Sequence, residues 1–135
     1  MFKRNRKGFT LIELLVVISI IGILLAVGVS AYTTAQKKGR DAKRHGDIKA
    51  MQSAFEQYYA DNGSYAACAT MATAQISGAT LPTDPKPGWS YNCDYDATDG
   101  SYCACATLEG TDSGNATDTD CTFGVGDYYC VDNLQ

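Results

Sequence analysis

Between Phe9 and Val29 the chain runs almost without polarity, broken only by Thr10, Glu13, Ser19 and small glycine residues. A helix made from such a run is long enough to cross a bilayer. Lys3, Arg4, Arg6 and Lys7 stand in front of it, followed by Gly8. An ordinary secretory signal would be cut behind the apolar segment, near Ala31, and would discard it. Glu13 argues against that fate. A carboxylate inside a membrane helix costs roughly 2.5 to 3.5 kcal/mol on insertion scales and is kept where it has a use.

The remainder of the chain differs sharply in composition. Of eleven Lys and Arg residues in the 135, ten lie at or before Lys49 and only Lys86 follows, so the C-terminal part is acidic within a net charge of −4. That balance gives no basic footprint for nucleic acid. All six cysteines, Cys68, Cys93, Cys103, Cys105, Cys121 and Cys130, fall in this acidic part. Their spacings match no zinc motif, so the expectation is an exported head stapled by disulfides.

At Lys7-Gly8-Phe9-Thr10-Leu11-Ile12-Glu13 the sequence resembles the prepilin motif of type IV pilins and type II secretion pseudopilins. The likeness continues from Leu14 to Ile23 and, more loosely, through Gly39-Arg40-Asp41-Ala42 to the segment Tyr58–Tyr65. It implies a leader of residues 1–8, cut between Gly8 and Phe9 by a prepilin peptidase that also methylates the Phe9 amine. It further implies insertion in the cytoplasmic membrane, delivery to a pilus assembly platform, and a homopolymer built through Phe9, Glu13, Leu14 and Ile18 that ends as a surface filament. The residues support the same roles. Cleavage would create a cationic amine at Phe9, and Glu13 of a neighbouring copy is an anion at nearly the same depth, so pairing relieves two buried charges. Residues 9 and 13 of one chain are a helical turn apart, which favours pairing between axially offset copies. One departure from the family pattern is Ser30, where many type IV pilins carry proline; Gly22 and Gly28 are the remaining weak points of the helix.

The expected fold is α+β, type IV pilin-like: a long N-terminal helix whose first half crosses the membrane, packed on a small antiparallel sheet. Its divisions are a membrane and assembly helix over 9–36 and a head over 37–135, the head comprising an amphipathic helix 37–60, a loop 61–88 and a three-stranded sheet within 89–135. Ala35, Ala42, Ile48, Met51, Phe55 and Tyr58 supply the apolar stripe. Asp61-Asn62-Gly63 stops the helix. Lys37, Lys38, Arg40, Lys43 and Arg44 read as a solvated or headgroup-facing run, with Asp41 and Asp47 in reach. The stretch from Tyr65 to Gly88 reads as a loop with at most a short turn of helix.

Strands are expected at Trp89–Tyr95, Ser101–Leu108 and Asp127–Asn133, the first two joined by an Asp96–Gly100 turn. Two registers compete. One sets Cys93 opposite Cys103; the other gathers Trp89, Tyr91, Tyr95, Tyr102, Ala104, Ala106 and Leu108 on a core face. Cysteine pairing stays open except that Cys103 and Cys105, two apart on one strand, are poorly placed to bond each other.

No nucleophile with a base beside it can be assembled, since the sole His45 sits in the basic helix. An enzyme is therefore not expected, and no cofactor is implied beyond calcium. Asp112, Asn115, Asp118 and Asp120 cluster hard oxygens of the kind calcium takes, with a solvated acidic loop as the plain alternative. Three functions remain: a major pilin serving adhesion, twitching motility or DNA uptake; a major pseudopilin of type II secretion; and a membrane-anchored head that binds a ligand without polymerising.

Overall fold

Among the described residues helix begins just after Thr10, whose carbonyl accepts the backbone N–H of Leu14. The computed structural model describes residues 8–135; the expected leader, apart from Gly8, lies outside the described residues. Elements follow in the order α1 (Leu11–Asn62), α2 (Cys68–Gln75), β1 (Asn92–Asp96), β2 (Ser101–Thr107) and β3 (Tyr128–Asp132). The fold is α+β, a long N-terminal helix with a small antiparallel sheet. Packing divides the chain into two units, with the boundary between Gln36 and Lys37 inside α1.

In the second unit, α1 ends where the sequence loses helix formers. Gly63 takes φ +73°, a left-handed conformation that glycine adopts at little cost, and its N–H caps the carbonyl of Tyr59. The buried face of the helix carries Ile48, Met51 and Phe55. Tyr58 packs at its edge. Ala35 and Ala42, expected in this stripe, are exposed; the face runs back from Ile48 to Arg44 instead, four residues earlier.

The sheet has the order β1-β2-β3, antiparallel throughout. Cys93 lies opposite Ala104 and Tyr95 opposite Tyr102, so the register is the one that gathers aromatics on a core face, and Cys93 does not face Cys103. Tyr102, Ala104 and Ala106 of β2 and Val131 of β3 close on Ile48, Met51 and Phe55. Phe55 meets Tyr102 edge-on at 5.0 Å between ring centroids, and Tyr65 meets Tyr102 at 5.1 Å. Such aromatic pairs add about 0.5 to 1.5 kcal/mol beyond area burial.

Two expectations need correction. β1 begins at Asn92, not Trp89, because Gly88 at φ +81° and a turn from the Trp89 N–H to the Lys86 carbonyl occupy the preceding residues. The segment before it holds a true helix, α2, whose Cys68, Met71 and Ala72 are buried in the core. Burial of one apolar face, together with the Cys68–Cys93 disulfide to β1, holds this short helix where propensity alone would not.

Alternation along β2 sends its other residues to the opposite face of the sheet. There Cys105 bonds Cys130, its direct cross-strand partner, with Cα atoms 4.1 Å apart, and Cys103 bonds Cys121 in the connecting loop. Buried Phe55 is the largest apolar side chain of the core, so Phe55→Ala is expected to cost the head about 3 to 5 kcal/mol. Loss of near-UV circular dichroism against urea measures it. Reduction of the disulfides should lower the melting temperature and raise protease sensitivity; unchanged stability with all thiols free would reduce the cysteines to packing residues.

Candidate assembly segment and the knot of the head

The first unit presents exposed apolar surface. Fourteen large apolar side chains between Leu11 and Val29 are each 47 to 82% exposed. Removing such a side chain from water is worth roughly 1.5 to 3 kcal/mol. Together they exceed the whole stability of a typical domain, so the segment demands a lipid or protein environment. Among the described residues, α1 is the one helix long and apolar enough to cross a membrane. Leu14 and Ile18, expected at the assembly face, belong to this exposed surface, as does Phe9 in front of it.

Glu13 sits in the first turn of α1, and its carboxylate is occupied from within the chain. The backbone N–H and the hydroxyl of Thr10 both donate to Glu13 Oε2 at 2.8 Å, while the Glu13 N–H donates to Thr10 Oγ1 at 3.3 Å. This reciprocal capping box satisfies orphan donors of the helix start and places a negative charge at its positive end. The sequence offered two fates for Glu13, pairing with a neighbour or protonation in lipid. Capping by Thr10 is a third that sequence reasoning missed, although Thr10-x-x-Glu13 is its ordinary signature.

At Ser30 the helix is unbroken. Ser30 Oγ donates to the Val27 carbonyl, and the hydroxyls of Thr33 and Thr34 both donate to the Ser30 carbonyl. Hydroxyls bonding back onto helix carbonyls weaken and bend a helix slightly. This cluster therefore sits where the family pattern expects proline, and Gly22 and Gly28 have open space around them.

In the second unit the basic run divides. Lys37, Lys38 and Lys43 are exposed as expected, whereas Arg44 is fully buried. Helical spacing puts Arg40 and Arg44 on the face of Ile48. Arg44 grips Asp84 with two bonds of 2.7 Å, donates to Asp41 at 2.7 Å and reaches Glu109 at 3.1 Å. Arg40 grips Glu109 in the same forked way, and Lys86 completes the set 3.4 Å from Glu109. Three cations thus meet three carboxylates, and the remaining carboxylate capacity is spent on backbone: Asp41 accepts the N–H groups of Glu109 and Gly110, Asp84 that of Lys86. The Trp89 ring lies under Lys86 at 3.7 Å and Arg44 at 4.8 Å. Full pairing and forked geometry are what let charges be buried without a net penalty.

The electrostatics follow the contacts. Hydrogen bonds from Arg40, opposed by burial and reinforced by Arg44, hold Glu109 at about 2 against an ordinary 4.5. For Asp84, burial raises the pKa and the Arg44 hydrogen bonds outweigh it, leaving it lowered. Elsewhere Glu56 accepts the hydroxyls of Tyr65 and Tyr102 and the N–H of Leu134, fixing the C-terminal segment to α1. His45 stacks on Tyr129 at 3.9 Å, and burial lowers its pKa.

The acidic loop is not drawn into one oxygen cluster. Asn115 spends its amide on the Cys130 backbone, donating to the carbonyl and accepting the N–H. Asp118 Oδ1 closes a turn by accepting the N–H groups of Asp120 and Thr122, and Asp112 donates its N–H to Asp127. Calcium would require these residues to rearrange. Gly114 and Gly126 explain the order of the loop, since a Cβ on either would lie 2.0 and 2.3 Å from the carbonyls of Tyr128 and Ala116 respectively.

Residues 3–29 match the family described as the prokaryotic N-terminal methylation motif. The type II secretion system core protein G of Pseudomonas aeruginosa is 35% identical over 86 residues, covering 64% of this chain and 61% of that protein. The type IV wide pilus major component PilA4 of Thermus thermophilus is 45% identical over 62 residues, 46% of this chain and 47% of its own. The type IV major pilin PilA of Myxococcus xanthus is 31% identical over 64 residues, 47% of this chain and 29% of its own. The chain therefore spans less than two thirds of the length of these relatives. No solved structure matches. An exposed apolar helix begun by a capped glutamate, with an α+β head, defines a pilin-like protein. The chain is thus similar, over its N-terminal part, to type IV pilins and type II secretion pseudopilins.

The knot generates a prediction in pH. Glu109 and Asp84 bind protons less readily folded than unfolded, so their stabilisation is present above about pH 4.5 and is lost as the pH falls toward 2. Melting temperature should fall across that window. Arg44→Met should weaken the dependence by removing the Asp84 contribution, Glu109 keeping Arg40, while costing about 3 to 5 kcal/mol at neutral pH because it leaves the buried Asp84 carboxylate without its cation.

Proposed function

We propose that this chain is a structural subunit of a filament, the major pilin of an extracellular type IV pilus, made as a membrane-inserted precursor and polymerised through its N-terminal helix. The observation carrying this reading is the run of exposed apolar side chains from Leu11 to Val29, with Glu13 set at its start. Lipid satisfies the apolar residues before assembly and other copies satisfy them afterwards. A prepilin peptidase acting between Gly8 and Phe9 frees and methylates the Phe9 amine, and this amine then competes with Thr10 for the Glu13 carboxylate of a neighbouring copy. A head with three disulfides suits a durable external fibre.

A second reading, major pseudopilin of type II secretion, is favoured by a specific observation. The secretion core proteins G align over 82 to 86 residues, against 62 to 67 for the named pilins and fimbrial protein. Both readings share the assembly mechanism and differ in where the polymer goes. Filaments sheared from the cell surface and containing this chain support the first. Its recovery only from the cell envelope, with loss of enzyme export on deletion, establishes the second.

Mass spectrometry of the natural protein should find a chain beginning at Phe9 with a methyl group on its amine. A start near Tyr32 would contradict the reading. Glu13→Ala leaves a desolvated ammonium without its partner, a defect of roughly 3 to 5 kcal/mol. Filament yield by shearing and electron microscopy should collapse, with cleavage and the folded head unaffected. Glu13→Gln, which keeps an acceptor, should be intermediate, and Leu14→Ala or Ile18→Ala milder because packing is spread along the helix.

A further inference from the structure

Two large apolar side chains stand in water on a loop that is otherwise tied down. Phe123 is 51% exposed and Val125 74%. The Cys103–Cys121 disulfide anchors the chain two residues before Phe123. The Thr117 N–H bonds the Thr122 carbonyl, the Gly124 N–H that of Asn115 and the Gly114 N–H that of Gly126, while Asn115 clamps the Cys130 backbone with both ends of its amide. Gly126 packs against Ala116 with no room for a side chain. The tip is therefore held in place, and an apolar anchor ordered before contact loses little entropy on docking. Asp118, Asp120 and Asp127 flank it in sequence, and none of them meets a cation among the described residues.

A second patch of the head is an open recess of about 500 Å³, lined by Lys38, Asp41, Ala42 and His45 of α1 and by Gly110 and Ser113. Its walls are mainly apolar. Asp41 is spent on Arg44 and on the N–H groups of Glu109 and Gly110. His45 stacks on Tyr129, and burial lowers its pKa, so its ring is uncharged at neutral pH. The unspent charge at this recess is Lys38, since Arg40, Arg44 and Lys86 are the cations that pair among the described residues. A recess with an aromatic wall and one free ammonium matches an aromatic anchor set among carboxylates.

We propose that the Phe123–Val125 tip of one copy seats in this recess of the next, with Lys38 facing the aspartates beside the tip. The inference rests on the polymer reading above and names the contact through which the heads join. The tip does not fill the recess of its own copy, because both its apolar side chains are exposed and neither lines the walls. Tip and recess are different patches, so the contact is heterologous and extends into a filament wherever its rotation does not close a ring. Apolar packing along Leu11 to Val29 is non-directional. A seated side chain fixes the rotation of one copy relative to the next.

The test puts a photoreactive side chain at the tip, Phe123→p-benzoylphenylalanine, in full chain co-assembled with an excess of wild type and irradiated in the polymer. The expected product runs at twice the subunit mass on a denaturing gel. Its mass spectrum should join the tip to the peptide carrying Ala42 and His45 or to that carrying Gly110 and Ser113. Phe123→Ser with Val125→Ser, and separately Ala42→Arg in the recess, should each cut polymer yield about tenfold or more, the effect of losing an apolar anchor at an interface. All three positions are exposed, so the melting temperature of the head should not move. Polymer that yields no doubled product, a product joined to other residues or to a different protein, or full yield from both variants would overturn the proposal and leave the polymer reading standing. A wild-type chain found only as single subunits would overturn that reading, and this contact with it.

Discussion

The apolar surface of α1 between Leu11 and Val29 governs everything else about this chain. Its side chains are exposed and it cannot remain in water, so its stable states are immersion in lipid or burial against protein. A surface of that kind is non-directional and would by itself aggregate in any register. Glu13 supplies direction. In the unassembled chain its carboxylate is held by Thr10, which meets its hydrogen-bonding needs without neutralising its charge. Only a cation does that, and cleavage after Gly8 would create one at Phe9.

The head answers a different constraint, namely how to hold a fold with a modest core. Apolar burial comes from Ile48, Met51, Phe55, Met71 and a few tyrosines, with alanines on the strand that faces them. Covalent and ionic ties supplement it on separate surfaces. One disulfide fastens α2 to β1 on the core face, two lie on the far face, and the Arg44 knot binds α1 to the connections that carry Asp84 and Glu109. The disulfides join segments 18 to 25 residues apart, so they restrict the unfolded chain as well as the folded one.

Local signals were legible in the sequence. The apolar run, the stop at Gly63 and the Asp96–Gly100 turn followed from periodicity and turn chemistry, while the two registers stayed open until the structure took the aromatic one. What was hidden depends on long-range meeting. Arg44 looked like one more member of a basic run, and only its position four residues before Ile48, with Asp84 and Glu109 far along the chain, distinguishes it. The pairing of the far-face cysteines was likewise invisible to spacing rules, because it is made across a strand pair and a returning loop. Clustered aspartates suggested an ion site, yet Asn115 and Asp118 are consumed by the backbone of their own loop. Composition names the donors present, but not the groups they already serve.

The central claim is that copies join by pairing the Phe9 amine of one with the Glu13 carboxylate of the next. A high-resolution cryo-electron microscopy reconstruction of the filament measures this directly. The account predicts the Phe9 nitrogen within about 4 Å of a neighbour's Glu13 oxygen, the distance of an ion pair. Glu13 bonded only to its own Thr10, with the Phe9 amine directed elsewhere, would contradict it.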